Sequence, residues 1–213
     1  MNGLLRYDGP LYKIAASALK CLLASLLWLG FSAPIITVGA ASAALYHTVF
    51  KVIRKEEGNL WSEFWAAFKS NFKQATVVWL IVLPVLCFLL ASGYNALVLY
   101  GLGIVSVMLP IAILLVLVWV ILWASYLFPC IARVQNTTGA MLKNCSLFIL
   151  AHPLWSLVLL LIAVAEIAVT FTVPGLLPIV PVFGTLLSSY ALERVFRKYI
   201  PAADAPQQEA VQN

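Results

Sequence analysis

Few side chains in this sequence are placed to do chemistry, and the most unusual of them is Glu166. It follows the run Leu159-Leu160-Leu161-Ile162-Ala163-Val164-Ala165, deep inside an apolar stretch that opens at Pro153. An acid that far from a membrane surface costs ~2.5 kcal/mol or more, so it should face the interior of a helix bundle with a partner. Two readings follow: a carboxyl on a proton or solute pathway, or a protonated or hydrogen-bonded contact to a Ser, Thr or Tyr of a neighbouring helix. The second is preferred, because no other intramembrane acid extends a relay. His47, near the basic end of its own apolar run, reads as an interface histidine with a satisfied ring.

Other reactive constellations are missing. The sequence has no Gly-rich phosphate loop with a Lys, no His-Glu-x-x-His and no Gly-x-Ser-x-Gly. Cys21, Cys87, Cys130 and Cys145 are widely spaced, and with His47 and His152 they make no zinc or haem pattern. They read as reduced, buried small hydrophobes. No catalytic, cofactor-binding or metal-binding residue is therefore expected, and the function is expected to be non-enzymatic.

The elements that must position Glu166 and His47 follow from composition. Of 213 residues, 63% are hydrophobic and 10% charged, with a mean hydropathy of +1.01; a soluble domain is nearer half apolar and a quarter charged. The apolar residues come in runs of about twenty, the length that crosses a bilayer as helix. The fold class expected is all-α, a polytopic bundle of six transmembrane helices over residues 14–31, 40–52, 74–91, 104–128, 153–172 and 179–195. Residues 1–200 form one membrane domain and 201–213 a polar, disordered tail.

Pro34 and Gly39 break the first run and turn the chain, and the small residues after Gly39 allow close helix packing. A cleaved leader ending at Ala41-Ser42-Ala43 is the competing reading of the first 44 residues. Four further apolar runs weigh against it.

Two amphipathic helices are expected on the cytoplasmic surface. In the first, Trp61, Phe64, Trp65, Phe68 and Phe72 fall on one helical face, with Glu63, Lys69 and Lys73 on the other. Such a helix lies at headgroup depth as an anchor, or serves as a docking surface for a partner. The second follows Thr138, with Met141, Cys145, Phe148 and Ile149 on one face. Both feed a run with a Trp near its start, a diffuse sign of duplication.

The net charge of +5 does not mark a nucleic-acid binder, because the thirteen Lys and Arg residues sit at the ends of apolar runs. In the six-span arrangement all of them fall on one side, while the turns near Pro34, Tyr94 and Pro178 carry no charge. The positive-inside rule then puts both termini in the cytoplasm. Trp79, Trp155, Trp123 and Tyr126 should mark the inner interface.

Several segments resemble the YesL-like family of bacterial membrane proteins. They are Leu5-Arg6-Tyr7-Asp8-Gly9-Pro10-Leu11-Tyr12, Ala33-Pro34-Ile35-Ile36-Thr37-Val38-Gly39-Ala40 with Ala44-Leu45-Tyr46, the Glu56-Glu57-Gly58 loop, and Phe68-Lys69-Ser70-Asn71-Phe72-Lys73-Gln74-Ala75-Thr76. The likeness is dense through residue 80 and looser beyond. It implies a small multi-pass protein of the bacterial cytoplasmic (inner) membrane, encoded beside carbohydrate uptake systems, with no agreed catalytic residues to transfer. The expected function is an accessory role in oligosaccharide ABC import, with membrane lipids, ABC permease subunits or further copies of the chain as partners. The alternative is an autonomous small-solute transporter or channel with Glu166 in its pathway.

Overall fold

The computed structural model describes residues 10–133 and 137–199, so the readings of the first nine residues and of the 201–213 tail lie outside the described residues. The described chain is helical throughout, without strands. Its helices are α1 (Pro10–Ser32), α2 (Val38–Thr48), α3 (Leu60–Gly101), α4 (Met108–Arg133), α5 (Thr138–Ala151), α6 (Pro153–Thr172) and α7 (Val180–Tyr199), with α2 continuing as a wider π-helical turn over Val49–Arg54. Four segments are long and apolar enough to cross a membrane: Ile35–Arg54, Leu60–Gly101, Met108–Arg133 and Pro153–Thr172. The apolar part of α1, Ala16–Ser32, is shorter, and α7 carries Glu193, Arg194, Arg197 and Lys198 in its last turns.

At the centre is α2, which packs against α1, α3, α4 and α7. Its small residues explain this position: Ala40, Ala41, Ala43 and Ala44 have no exposed surface, and side chains this short let four neighbours approach one backbone. Gly39 is the closest approach. A Cβ there would meet Ala75 O and the Cβ of Trp79, each at 2.6 Å.

The short loop between Arg54 and Leu60 sets the register of α2 on α3. Antiparallel helices joined by so few residues must align outward from the loop, and they do. Lys51 and His47 meet Glu63, and Gly39 meets Ala75 and Trp79. Residues 60–79 of α3 thus pair with α2, and the helix then runs on from Leu80 to Gly101, about 33 Å at a helical rise.

Three expectations change as a result. The aromatic stripe at 61–72 is not a separate helix lying on the membrane but the first turns of the 42-residue α3; no proline or glycine separates it from the apolar run that follows. The expected turn after Ala91 is helix as well, with Asn95 Nδ2 donating to Ala91 O within α3. The chain reverses instead at residues 102–107, where Gly103 takes φ +71°. Trp79 and the Pro34 turn were expected on opposite membrane faces, yet Trp79 Nε1 donates to Ile35 O at 2.7 Å. They share one depth because α2 pairs with residues 60–79 and not with 74–91.

In α4, Pro129 was expected to end the helix at residue 128, but the helix runs to Arg133 with the proline inside it. The second Trp-led connection does break: His152 and Pro153 separate α5 from α6, so the two connections that look alike in sequence differ in form. The face of α5 read from the sequence holds, with Met141, Cys145 and Ile149 buried.

Filling the Gly39 contact should loosen the bundle. Gly39→Val is expected to lower stability by about 1–3 kcal/mol, the usual cost of overpacking, as read from melting in detergent. Gly30→Ala, at a position with nothing within 4 Å, should leave the melting temperature within a degree or so.

Candidate functional site

Glu166 projects from the middle of α6 toward α7 and α2. It lines a cavity of about 190 Å³ together with Ser42, Tyr46, Ser125, Phe128, Pro129, Gly184, Thr185 and Ser188. A neighbouring cavity of about 370 Å³, lined by Trp28, Ser42, Thr170 and Thr185, shares the same carboxyl. Gly184 creates the space, because a side chain at that position would collide with the Glu166 carboxyl. The sequence reading favoured a hydrogen-bonded contact between Glu166 and a hydroxyl of another helix, and the structure does not make one. The hydrogen bond at this residue is to its backbone, from Thr170 Oγ1 to Glu166 O at 2.7 Å, and the carboxyl has no partner among the described residues. The polar groups nearby were not legible in the sequence, because Ser42, Ser125, Thr185 and Ser188 come from three different helices.

A second polar region lies at the basic end. His47 Nε2 is 3.2 Å from Glu63 Oε2, and Lys51 Nζ is 2.8 Å from Glu63 Oε1. The His47 ring thus has a side-chain partner in Glu63. Gly58, at φ +79°, leaves room for this carboxylate, since a Cβ there would sit 2.8 Å from Glu63 Oε1. A cavity of about 890 Å³ opens beside the cluster, walled by His47, Lys51, Glu63, Asn71, Gln74 and Arg133.

Next to it, Arg133 at the end of α4 holds Glu193 of α7, with Nη2 donating to Oε2 at 3.2 Å and Nε 3.1 Å from Oε1. Tyr46 OH donates to the same Oε1 at 3.4 Å. Within the π-helical turn, the half-buried Phe50 ring lies under the guanidinium groups of Arg54 and Arg133 at 5.4 and 4.2 Å. Arg54 Nη1 then donates to Ser189 O at 2.9 Å and caps the packing of α2 on α7. Sequence reading assigns Arg54 and Arg133 to topology alone and gives Glu193 no partner. Arg54 lies in the wide turn and Arg133 and Glu193 on α4 and α7, and no residue pattern announces that the three meet.

The aromatic helix face divides. Phe64 and Phe68 are buried and pack on Phe31 of α1 with ring centroids at 5.4 and 4.9 Å. Trp61, Trp65 and Phe72 stay largely exposed, while Lys69 lies 5.7 Å over the Trp65 ring and Lys73 is exposed. Only the outer half of this stripe is available to lipid or a partner. Of the cysteines, Cys87 is exposed, against expectation, and the other three are buried; all four are free. Cys130 of α4 and Cys145 of α5 are in side-chain contact, though fifteen positions apart. Among the described residues no three His, Cys, Asp or Glu side chains converge to hold a metal.

These features define the class, an all-helical protein with several helices suited to a membrane and one uncompensated carboxyl in its apolar interior. Residues 21–92 match a family described as a protein of unknown function, DUF624, to which YesL-like proteins belong. The matched stretch covers about half of α1, all of α2 and α3 as far as residue 92; it contains His47, Glu63 and Gly39 but neither Glu166 nor Glu193. No curated protein and no solved structure matches the chain.

The Arg133 and Glu193 pair gives a direct test of the basic end. Glu193→Gln leaves a partly buried guanidinium without its counter-charge and should cost ~3 kcal/mol, measured by melting in detergent. The double change Arg133→Met with Glu193→Gln should cost less than the two single changes added together.

Proposed function

We propose that this chain is a non-enzymatic accessory protein of the bacterial cytoplasmic membrane that works with a carbohydrate ABC import system and binds its permease subunits. The observation that carries the reading is the vertical extent of the apolar surface. Leu19, Leu22 and Leu26 of α1 are exposed beside the lower half of the bundle, and Leu80, Ile81, Phe88, Leu97 and Leu114 are exposed along the α3–α4 hairpin. Helix α3 alone spans about 63 Å, whereas the hydrocarbon of a bilayer is about 30 Å thick. One bilayer does not cover all of this surface, and a hairpin without a single Asp, Glu, Lys or Arg from Gln74 to Ala132 does not stand bare in water. The permease subunits cover the remainder.

The charge pattern supports the orientation. Lys51, Arg54 and Lys55 follow α2, α1 runs back toward this same turn, and Arg133 and Arg194 lie nearby around the end of α7. That end faces the cytoplasm and carries both termini, by the positive-inside rule. In this arrangement α1 and α7 join the four more apolar segments in the membrane, six in all. The resemblance of residues 5–12, 33–46, 56–58 and 68–76 to YesL-like proteins supplies the link to carbohydrate import.

Pull-down of the tagged chain from native membranes in mild detergent, with mass spectrometry, is expected to recover ABC permease subunits in stoichiometric amount. A homogeneous species holding only copies of this chain would overturn the accessory reading.

The unpaired carboxyl of Glu166 favours a second reading, a small-solute transporter or channel in its own right. Purified protein in proteoliposomes should then pass solute, and Glu166→Gln should abolish the flux. Flux unchanged by that substitution would remove Glu166 from the pathway.

A further inference from the structure

We infer that the cavity beside Glu166 is a binding site for a monovalent inorganic cation. The inference deepens the transporter reading and rests on the same carboxyl, but it concerns binding and can stand or fall without transport.

A hydroxyl has one proton to donate and two lone pairs to offer, so the direction of each bond around the cavity matters. Ser125 Oγ donates to Ile121 O at 2.9 Å. Thr185 Oγ1 donates to Pro181 O at 2.6 Å, and Ser188 Oγ donates to Thr185 O at 3.0 Å. All three commit their protons to the backbone of their own helix and turn only lone pairs elsewhere. Tyr46 has likewise committed its proton to Glu193. Trp28 Nε1, the nearby indole donor, donates to Ser42 Oγ at 3.2 Å, which leaves Ser42 as the one hydroxyl of the wall whose proton is not committed elsewhere. Pro129 adds to the imbalance, because a proline inside α4 cannot donate to the carbonyl of Ser125 one turn earlier, and both residues line the cavity.

The wall is therefore rich in acceptors and poor in donors, around a carboxyl that no described residue pairs. No Lys, Arg or His lines it. Such a site repels anions and has little to offer the oxygen atoms of a neutral solute. It matches a ligand that is all positive charge and needs several oxygens, which is the coordination preference of hard cations. One carboxylate, with no second acid in the wall, balances one positive charge; a divalent ion would leave net charge in an apolar bundle. A cavity of about 190 Å³ holds an ion and a few waters. Gly184 keeps it open.

The test is radiolabelled sodium binding to purified protein in detergent at alkaline pH, with potassium and lithium as competitors and choline chloride holding the ionic strength constant. About one ion per chain is expected, with affinity reduced at least about tenfold in Glu166→Gln and several-fold in Ser188→Ala. Glu63→Gln, which changes a carboxylate outside the cavity, should bind as the unchanged protein does. A melting temperature that rises with sodium, and not with choline, should accompany binding; Ser188→Ala keeps this readout usable should Glu166→Gln fail to fold. Absence of alkali-cation binding, or binding equal in Glu166→Gln, would overturn the site. So would a melting shift that follows pH alone, since the carboxyl would then hold only a proton. Cation binding without solute flux would uphold the site and overturn the transporter reading.

Discussion

The packing of α2 on the first half of α3 is the constraint on which the remaining arrangement depends. A short loop fixes where the two helices begin to pair, and Gly39 fixes how closely they finish, with the α3 backbone and Trp79 at van der Waals limit. Because α2 is short and α3 is 42 residues long, pairing from the loop outward uses only half of α3. The other half extends past the Pro34 turn with α4 as its main companion. The Pro34 turn, the buried Phe64 and Phe68, the contact between Glu63 and Lys51, and the reach of the hairpin all follow from that register.

Polar groups are treated in two ways within the same bundle. At the basic end, charges are paired: Glu63 with Lys51 and His47, Glu193 with Arg133 and Tyr46. The low polarity of the surroundings makes an unpaired charge there costly, and the wide turn at Val49–Arg54 arranges Phe50 and Arg54 to share the load. Around Glu166 no described residue pairs the carboxyl. Ser125, Thr185 and Ser188 donate to carbonyls of their own helices, Tyr46 to Glu193, and glycine in α7 makes room for the carboxyl and provides no bond to it. A group held in that condition points to something outside the polypeptide as its partner.

Much of the architecture was legible from the chain. The alternation of apolar runs with basic ends gave an all-helical membrane protein, and of the α5 face read as Met141, Cys145, Phe148 and Ile149 three residues are buried and Phe148 half-buried. Hydropathy failed where it lacked directional information. It divided α3 into a surface helix, a span and a turn, because Lys69, Lys73 and Gly93 interrupt the apolar pattern; one helix accommodates all of them, with Lys69 and Lys73 exposed. It also ended α4 at Pro129, although a proline near the last turns of a helix forfeits only one backbone bond.

By itself the sequence determined the solvent this protein is made for, the helical class, the grouping of its cations and the rarity of an acid at position 166. Those properties depend on composition and on spacing within a single helix, which the chain carries locally. Only the tertiary structure decided that Trp79 lies beside Ile35, that Phe64 and Phe68 belong to the core, that Arg133 meets Glu193 and that the Glu166 carboxyl faces acceptors. These depend on the register and rotation of one helix against another. Loop length and the close approach at Gly39 set the first two, and neither leaves a periodic signal in the residues that end up in contact.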